Sequence, residues 1–287
     1  MAKSRIRETL VTLGAVDPAS VVPFAPRTRD RDVTVFRDEA KGVIFIDDFY
    51  VGDDEYESGE YRGEDEPSFE DRTDTDRRIT AFRHIYEGRR VLDFGCGAGN
   101  FLRGAQAAAE AVFGSELQRN YRDRLNADGI PCFADITDAP ADLDACFMFH
   151  VLEHLPDPLP ILETIYGLLA PDGVIVVEVP HARDFLMNEL SSEEFTAFTL
   201  WSQHLVLHTR DSLRILLEAA GYVDIEISGV QRYGLANHLT WLATGAPGGH
   251  RGPLARIESD ALTRAYEESL AGIDATDTLV AIARAKG

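Results

Sequence analysis

The chain has 287 residues with 45% hydrophobic and 27% charged side chains, which is ordinary for a globular protein with one large domain or two small ones. Its formal net charge of −21 leaves no visible basic face to neutralise phosphates, which excludes nucleic acid as an expected partner. No run of about 18 apolar residues occurs and the N-terminus is too polar for a secretory signal, so we expect no membrane contact and a cytoplasmic location.

The N-terminal region predicts a hairpin followed by an acidic arm. Residues 33–47, VTVFRDEAKGVIFID, place two β-rich runs around a Lys-Gly turn. Residues 52–76 are dense in Asp, Glu and Gly, and like charges at this density resist packing, so this run predicts a loop or a mobile arm. Tyr61, within the arm, is a candidate substrate contact. We assign residues 1–75 to this hairpin-and-arm region.

After the acidic arm the chain alternates between helical and strand patterns. Five apolar runs, beginning with RRVLDFG, alternate with helical segments, and two further strands are predicted nearer the C-terminus. This order predicts an α/β fold with a doubly wound, mostly parallel sheet of seven strands across residues 76–287. The sheet does not need segments 181–209 and 230–272, and we interpret them as a substrate cap with a large helical part.

A glycine-rich loop joins the first of these strands to a helix. In the motif VLDFGCGAGNFL, residues 91–102, the glycines let a ligand approach the backbone and the helix end offers free N–H groups. Dinucleotide-binding enzymes also have such a loop, but with the spacing G-x-G-x-x-G, whereas the spacing here is G-x-G-x-G. Asp93 would repel a pyrophosphate and suits a cationic ligand, such as the methionine part of S-adenosylmethionine.

Acidic residues follow the next two strands. Glu116 ends the second strand, where a carboxylate can accept hydrogen bonds from both ribose hydroxyls of a nucleotide. Asp135 ends the third strand, where it can accept from an adenine amino group while Ile136 packs on the ring. Because the carboxyl ends of adjacent parallel strands meet at one edge of a sheet, these side chains predict a ligand crevice there.

Five motifs, VLDFGCGAGNFL, GSEL, ADITD, FHVLEHLPDP and LLAPDGVIVVEVP, follow one another in a characteristic order and spacing. Across residues 75–228 the chain resembles the class I S-adenosylmethionine-dependent methyltransferases. The resemblance implies a Rossmann-like fold, S-adenosyl-L-methionine as cofactor, S-adenosyl-L-homocysteine as product, and a histidine near the methionine end. The cofactor-binding residues that it implies are Asp93, Gly95, Cys96, Gly97, Gly99, Phe101, Glu116, Leu117, Asp135, Ile136 and His150.

The C-terminal half resembles methyltransferases of surface-polysaccharide and sugar pathways. Related sugar methyltransferases have a Tyr-x-x-His-Leu pattern, which this chain matches at His204 and Leu205 but with Trp201 in place of the tyrosine. Many relatives carry a cysteine-rich zinc module in the N-terminal arm, and because this arm has no cysteine, no zinc is implied. The predicted substrate contacts are Tyr61, Trp201, Gln231, Arg232, Tyr233 and Asn237.

His204 and His208 lie four residues apart, a spacing that puts both on one face of a helix. A metal pair needs a further ligand, and since no H-E-x-x-H pattern appears, we predict no metal. We expect His208 to pack in the core and His204 to act as general base, because an imidazole with a pKa near ~6.5 can remove a hydroxyl proton. His181 and His238 are further catalytic candidates. For an acceptor that is already anionic, His204, Arg232 and His238 would instead bind its charge.

The sequence therefore predicts methyl transfer from S-adenosylmethionine to an oxygen of a small polar metabolite in surface-polysaccharide biosynthesis. The acceptor classes are a sugar, a sugar nucleotide or a phosphorylated compound. Two alternatives stay open: C-methylation of a keto-sugar, and a sensor or scaffold that binds the cofactor without transferring its methyl group. The sequence pattern also leaves the acceptor atom and the oligomeric state open.

Overall fold

A computed structural model describes residues 4–53, 57 and 69–286 of the chain. Its larger sheet has seven strands: β4 (Arg90–Phe94), β5 (Ala111–Ser115), β6 (Cys132–Phe133), β7 (Leu143–Phe149), β8 (Leu169–Pro180), β10 (Val223–Val230) and β11 (Thr278–Arg284). Their spatial order is β10-β11-β8-β7-β4-β5-β6. Neighbouring strands are parallel except at β11, which is antiparallel to both β8 and β10. This sheet confirms the predicted doubly wound α/β fold.

The strand order explains where a ligand can bind. From β4 the chain runs outward through β5 to β6 and then returns on the other side of β4 as β7. This reversal opens a crevice at the carboxyl ends of β4 and β7. The neighbouring side chains Val91 and Leu92 belong to two different core clusters, as the alternation of a strand covered on both faces requires.

Helices supply most of the covering layers because their apolar sides pack onto the sheet. In one of them Leu213, Leu216 and Leu217 are fully buried at helical spacing. The helices are α1 (Ile6–Thr12), α2 (Phe69–Ala81), α3 (Arg83–Tyr86), α4 (Asn100–Ala105), α5 (Arg119–Ala127), α6 (Pro158–Leu168), α7 (Phe185–Asn188), α8 (Glu193–Thr199), α9 (Arg210–Ala219), α10 (Leu235–Thr244) and α11 (Asp260–Gly272).

A smaller antiparallel sheet joins the N-terminal region to the segment that follows β8. Its strands, in spatial order, are β1 (Val21–Ala25), β2 (Val35–Asp38), β3 (Ile44–Ile46) and β9 (Val206–Leu207). The hairpin predicted over residues 33–47 is confirmed as the β2–β3 pair. Because β9 pairs with β3, the N-terminal region and the segment 181–209 share one sheet.

The prediction that His204 and His208 share a helical face is wrong. The chain is extended between them as β9, and His208 forms an isolated parallel bridge with His181. The apolar residues Leu205 and Val206 are fully buried beside β3, and this burial outweighs the helical spacing of the histidines. His208 is itself fully buried, in agreement with the packing role predicted for it.

The acidic arm is helical at its end, since α2 begins at Phe69, and the loop predicted for residues 69–76 is therefore wrong. The Arg232 guanidinium, from a distant part of the chain, donates to the Asp74 carboxylate through Nε at 2.9 Å. The predicted loop rested on repulsion between acidic residues that are neighbours in sequence. The fold relieves this repulsion at Asp74 because it brings Arg232 to that carboxylate. Tyr61, the substrate contact predicted in this arm, lies outside the described residues.

The segment 230–272 is mostly helical, as predicted, and contains α10, two short 3₁₀ turns and α11. Among the described residues, no helix combines the length and apolar character needed to cross a membrane.

Candidate cofactor and acceptor site

The crevice at the strand ends contains a cavity of about 950 Å³. Its walls come from the glycine loop after β4, the ends of β5 and β7, the helix α2 and the segment before β9. Residues that were predicted from motifs far apart in the sequence therefore line the same cavity. Those that line it are Asp93, Gly95, Cys96, Gly97, Phe101, Glu116, Leu117, Asp135, Ile136, His150, Trp201, His204 and Arg232.

The glycine loop bends tightly beneath this cavity. Gly95 and Gly97 have φ values of 72° and 53°, in the left-handed region that favours glycine. A Cβ on Gly95 would lie 2.5 Å from Cγ2 of Val151, which follows β7. The loop thus packs against its neighbour without room for a side chain, and its backbone is left open to a ligand.

Gly99 has a different role from the one predicted. It also has a positive φ, 74°, but it does not line the cavity. A Cβ there would lie 2.4 Å from Cδ2 of Leu125 in α5. Gly99 therefore allows close packing of the helices at the start of α4. The sequence predicts a direct cofactor contact for Gly99, and its position outside the cavity lining corrects that prediction.

Substitution of Gly95 by alanine is expected to lower the free energy of unfolding by about 2–4 kcal/mol, through left-handed strain and the clash with Val151. The matched control is Gly88→Ala, because Gly88 has a similar φ of 66° but a Cβ added there would meet nothing within 4 Å. The free energy of unfolding of this control should fall only by the contribution of left-handed strain, about 1 kcal/mol. Equal losses for the two variants in urea unfolding would show that the contact with Val151 is unimportant.

Asp93, near the end of β4, is almost completely buried at the cavity wall. Burial raises the pKa of its carboxyl to about 8, against the opposing effect of the Arg78 charge. A nearby cation favours the ionised form of such a carboxyl, so this group is suited to a positively charged ligand. This is the environment that the sequence predicts for a contact with an ammonium group.

Glu116 is held in a fixed position at the end of β5. Its Oε2 accepts from the Gly97 N–H and its Oε1 from the Gln118 N–H, both at 2.8 Å. Arg122 donates to its backbone carbonyl, also at 2.8 Å. The carboxylate is therefore oriented beside the glycine loop, where it retains acceptor capacity for the hydroxyls of a ligand.

Beyond Glu116 the cavity wall becomes more apolar. Leu117 and Ile136 both line it, and Leu117 is 42% exposed, so its side chain is available for contact with a ligand. Asp135 accepts hydrogen bonds from the N–H and the hydroxyl of Thr137 at 2.9 and 2.7 Å. An apolar slot with a fixed carboxylate at its edge can take a flat ring that carries an amino group.

The other end of the cavity is rich in aromatic rings. The His204 ring centroid lies 5.0 Å from that of His154 and 5.3 Å from that of Trp201. Burial, with a smaller effect of the His154 charge, lowers the pKa of His204 to about 3. His204 is therefore neutral at physiological pH, and it is a much weaker base than the ordinary histidine value assumed from the sequence.

A buried ionic network supports this end of the site. Glu178 in β8 is fully buried and accepts from Arg77 Nη2 at 2.8 Å and from Arg78 Nη2 at 2.6 Å. Its backbone carbonyl accepts from the His150 N–H at 2.8 Å, and His150 has a strained φ of 55°. The network therefore fixes α2 and the residue after β7 to the same carboxylate at the cavity wall.

Replacement of Glu178 by glutamine is expected to lower the free energy of unfolding by about 3–5 kcal/mol, because the half-buried Arg77 and Arg78 lose the fully buried carboxylate that they pair with. Although burial opposes it, the charge of Arg78 holds the pKa of Glu178 well below 4.5. A carboxyl with a lowered pKa stabilises the fold above its unfolded pKa, and this contribution is lost as the pH falls through the folded value.

The difference between wild type and Glu178→Gln in urea unfolding should therefore be full at neutral pH and shrink as the pH falls below 4.5. Glu110→Gln, at an exposed position, serves as the control and should show no comparable loss. A difference that stays the same down to about pH 3 would contradict the ionic origin of the effect.

The positions predicted for His181 and His238 at the cavity are wrong. His181 is 1% exposed, and its Nδ1 lies 3.0 Å from the carbonyl oxygen of Thr276. His238 is 3% exposed, and its Nδ1 lies 2.7 Å from the hydroxyl of Tyr266, which joins α10 to α11. His238 makes this internal contact because α10 turns its buried face toward α11, whereas His181 packs against the segment that leads into β11.

Three predicted substrate contacts, Gln231, Tyr233 and Asn237, also lie away from the cavity. Gln231 Nε2 and the Tyr233 N–H donate to Asp277 Oδ2 at 2.9 and 3.2 Å. The Asn237 side-chain oxygen accepts a backbone N–H of the following loop at 3.2 Å. Gln231 and Tyr233 therefore tie the cap to the segment before β11, Asn237 contacts the cap itself, and Arg232 reaches the cavity.

Several cavity residues were not predicted because they lie outside the family motifs or were given another role. His154 lies within the motif FHVLEHLPDP but was not assigned to the site, and it lines the cavity. Tyr50, Asp74 and Arg78 line it from the N-terminal region and α2. The alternating pattern that identifies strand ends gives no signal for side chains that enter from such flanking segments.

Comparison with known proteins gives a family model, described as a methyltransferase domain, that matches residues 70–227. The ubiquinone biosynthesis O-methyltransferase of Psychrobacter cryohalolentis is 32% identical over 103 residues, which are 31% of this chain and 40% of that protein. The C-methyltransferase NovU of Streptomyces niveus is 27% identical over 157 residues, 51% of this chain and 36% of that protein. The chain thus spans less than half the length of these two relatives.

A solved structure of a SAM-dependent methyltransferase from Archaeoglobus fulgidus shares the fold, with a TM-score of 0.51 and 21% identity. The match covers 74% of this chain and 93% of that one. The family model spans more than half of the chain and decides the family, and the structural similarity supports the fold. The chain belongs to the methyltransferase-domain family and has the Rossmann-like fold of the class I S-adenosylmethionine-dependent methyltransferases.

Proposed function

We propose that this chain transfers the methyl group of S-adenosylmethionine to an oxygen of a small polar metabolite. The observation that carries the proposal is one cavity with two chemically different ends. One end has the glycine loop, Asp93 and Glu116, and the other has three histidines and Trp201. A donor and an acceptor can therefore lie end to end in the same space.

The first end fits the parts of the proposed cofactor. Asp93 suits the ammonium group, and Glu116 offers acceptors for the ribose hydroxyls. Leu117 and Ile136 provide apolar contact for adenine, with Asp135 at the edge of the slot. When bound, the cofactor supplies a methyl group that its sulfonium has already activated.

The residues at the second end have to align the acceptor and exclude water, which are the main requirements of an in-line displacement. Trp201 and His204 form an aromatic wall for a small molecule. Because His204 is neutral, it can accept a hydrogen bond from an acceptor hydroxyl. Its low pKa makes it a weak Brønsted base, so its proposed role is to orient the hydroxyl that attacks.

The acceptor class follows from the polar surroundings and from the resemblance of residues 201–205 to sugar-pathway methyltransferases. A sugar, a sugar nucleotide or a phosphorylated metabolite fits this end, and a role in surface-polysaccharide biosynthesis is the corresponding proposal. The similarity to a C-methyltransferase favours transfer to carbon as the second candidate. The two are separated by the site at which the product carries its new methyl group.

The test is incubation of the full chain with S-adenosylmethionine and a panel of sugars, sugar nucleotides and phosphorylated metabolites. We expect S-adenosylhomocysteine to form together with one acceptor that gains a methyl group, both followed by mass spectrometry. Nuclear magnetic resonance of that product identifies an O-methyl or a C-methyl group. Tight cofactor binding without turnover on such a panel would instead favour a sensor or scaffold.

A further inference from the structure

Three potential metal ligands meet at the histidine-rich end of the cavity. Glu153, His154 and His204 each offer one ligand atom, and these atoms lie within 4.8 Å of one another. His154 and His204 line the cavity, and Glu153 is fully buried beside them. The sequence pattern conceals this set because its members come from two distant segments.

The fold holds these two segments together through the backbone. Glu153 and His154 lie in the 3₁₀ turn Leu152–His154 that follows β7, and His204 precedes β9. The Leu205 N–H donates to the Glu153 carbonyl oxygen at 2.7 Å, which places His204 directly beside the turn. The three side chains are therefore brought together by fixed backbone and not by the extension of flexible surface groups.

Two atoms of the set lack a hydrogen-bond partner among the described residues. They are Oε2 of Glu153 and Nδ1 of His204, and both are buried. The other carboxylate oxygen, Oε1 of Glu153, lies 3.2 Å from Nδ1 of His150. A buried carboxylate is normally paired or coordinates a metal, and the second oxygen of Glu153 has the capacity for one more partner of this kind.

We propose that Glu153, His154 and His204 bind one divalent transition-metal ion that takes the acceptor oxygen as a further ligand. Two imidazoles and a carboxylate favour Zn²⁺, Co²⁺, Fe²⁺ or Mn²⁺ over Mg²⁺ and Ca²⁺. Three protein ligands leave a position open toward the cavity. The contact of His150 with Glu153 then orients the ligating carboxylate, as partners of metal ligands commonly do.

With the ion bound, His204 holds the ion, and the ion in place of the imidazole contacts the acceptor hydroxyl. An acceptor hydroxyl bound to a divalent cation becomes more acidic, and its proton passes to water. The acceptor oxygen then forms the new bond to the methyl carbon, while the electron pair of the broken carbon–sulfur bond stays on sulfur. This role rests on the proposed function, whereas the metal site itself rests on the three side chains alone.

Co²⁺ titration of the full chain, after removal of metals with a chelator, tests the site without any methyl acceptor. We expect one Co²⁺ per chain by equilibrium dialysis, with visible absorption bands that disappear when Zn²⁺ displaces it. The variants His154→Ala and His204→Ala should each weaken binding by ~10-fold or more. His84→Ala, at an exposed position, is the matched control and should bind as the wild type does.

Circular dichroism and thermal melting identify any variant that fails to fold, and Glu153→Gln gives a third, nearly isosteric test. The proposal is overturned if the wild type binds no stoichiometric Co²⁺ at micromolar concentrations, or if the double variant His154→Ala with His204→Ala binds it unchanged. Metal binding without methyl transfer would leave the site intact and count against the proposed function. Transfer that continues at full rate after chelation would keep the function and overturn the role of the ion.

Discussion

Replacement of Glu116 by alanine is expected to weaken binding of S-adenosylmethionine by about 1–3 kcal/mol, because hydrogen bonds from the ribose to a charged acceptor are lost. The substitution also removes the carboxylate that fixes the Gly97 and Gln118 N–H groups. Isothermal titration calorimetry of wild type and variant measures the change directly.

The matched control for this variant is Glu110→Ala, an exposed glutamate before β5 that does not line the cavity. Its cofactor affinity should equal that of the wild type. Glu116→Gln should fall between the two, since the amide keeps one acceptor oxygen. Unchanged affinity in Glu116→Ala would mean that the ribose binds elsewhere.

The variant His204→Ala should lower turnover by ~10²-fold or more while cofactor affinity is kept, because an acceptor that is misplaced by about an ångström loses its alignment with the methyl group. Steady-state kinetics at saturating cofactor measure the loss, and calorimetry checks the affinity. This result is expected whether His204 contacts the acceptor directly or through the proposed metal ion.

His84→Ala again serves as the control and should keep normal turnover, since His84 is exposed and outside the cavity. Normal turnover in His204→Ala would exclude the acceptor role. A pH–rate profile of turnover with no inflection near ~6.5 would agree with the buried, neutral imidazole. A pKa near ~6.5 in that profile would instead restore the ordinary base expected from the sequence.

The sheet and the cofactor end could be predicted because both depend on local patterns. Each strand is a short apolar run, and the residue at its carboxyl end carries the chemistry, as Glu116 and Asp135 show. The glycine spacing then gives the loop that cradles the ligand. Each of these patterns lies within one short segment of the chain, so it can be recognised without knowledge of the contacts between segments.

The acceptor end could not be predicted in the same way because it depends on contacts between distant segments. The helical spacing of His204 and His208 gave no hint that β9 would pair with the N-terminal β3. Nor did it indicate that the Leu205 N–H would donate to the Glu153 carbonyl oxygen and bring Glu153 and His154 to His204. Burial also changed the chemistry of His204, and its low pKa depends on neighbours that the local sequence does not identify.

The polar residues of the cap show the same limit. Gln231, Tyr233 and Asn237 were assigned to substrate because polar groups were dense beside apolar ones, but Asp277 near β11 and a backbone N–H are their partners. Arg232 has the same local context and reaches the cavity, where it is paired with Asp74. Composition could not separate these residues, since the difference lies in which partner the fold brings to each.

The most direct test of the proposed cofactor and acceptor ends is a crystal structure of the chain with S-adenosylhomocysteine bound. We expect adenine between Leu117 and Ile136, the ribose on Glu116, and the sulfur directed toward the wall formed by Trp201 and His204. A cofactor bound in the opposite direction, with adenine at the histidine-rich end, would contradict this assignment. So would a cofactor bound outside this cavity.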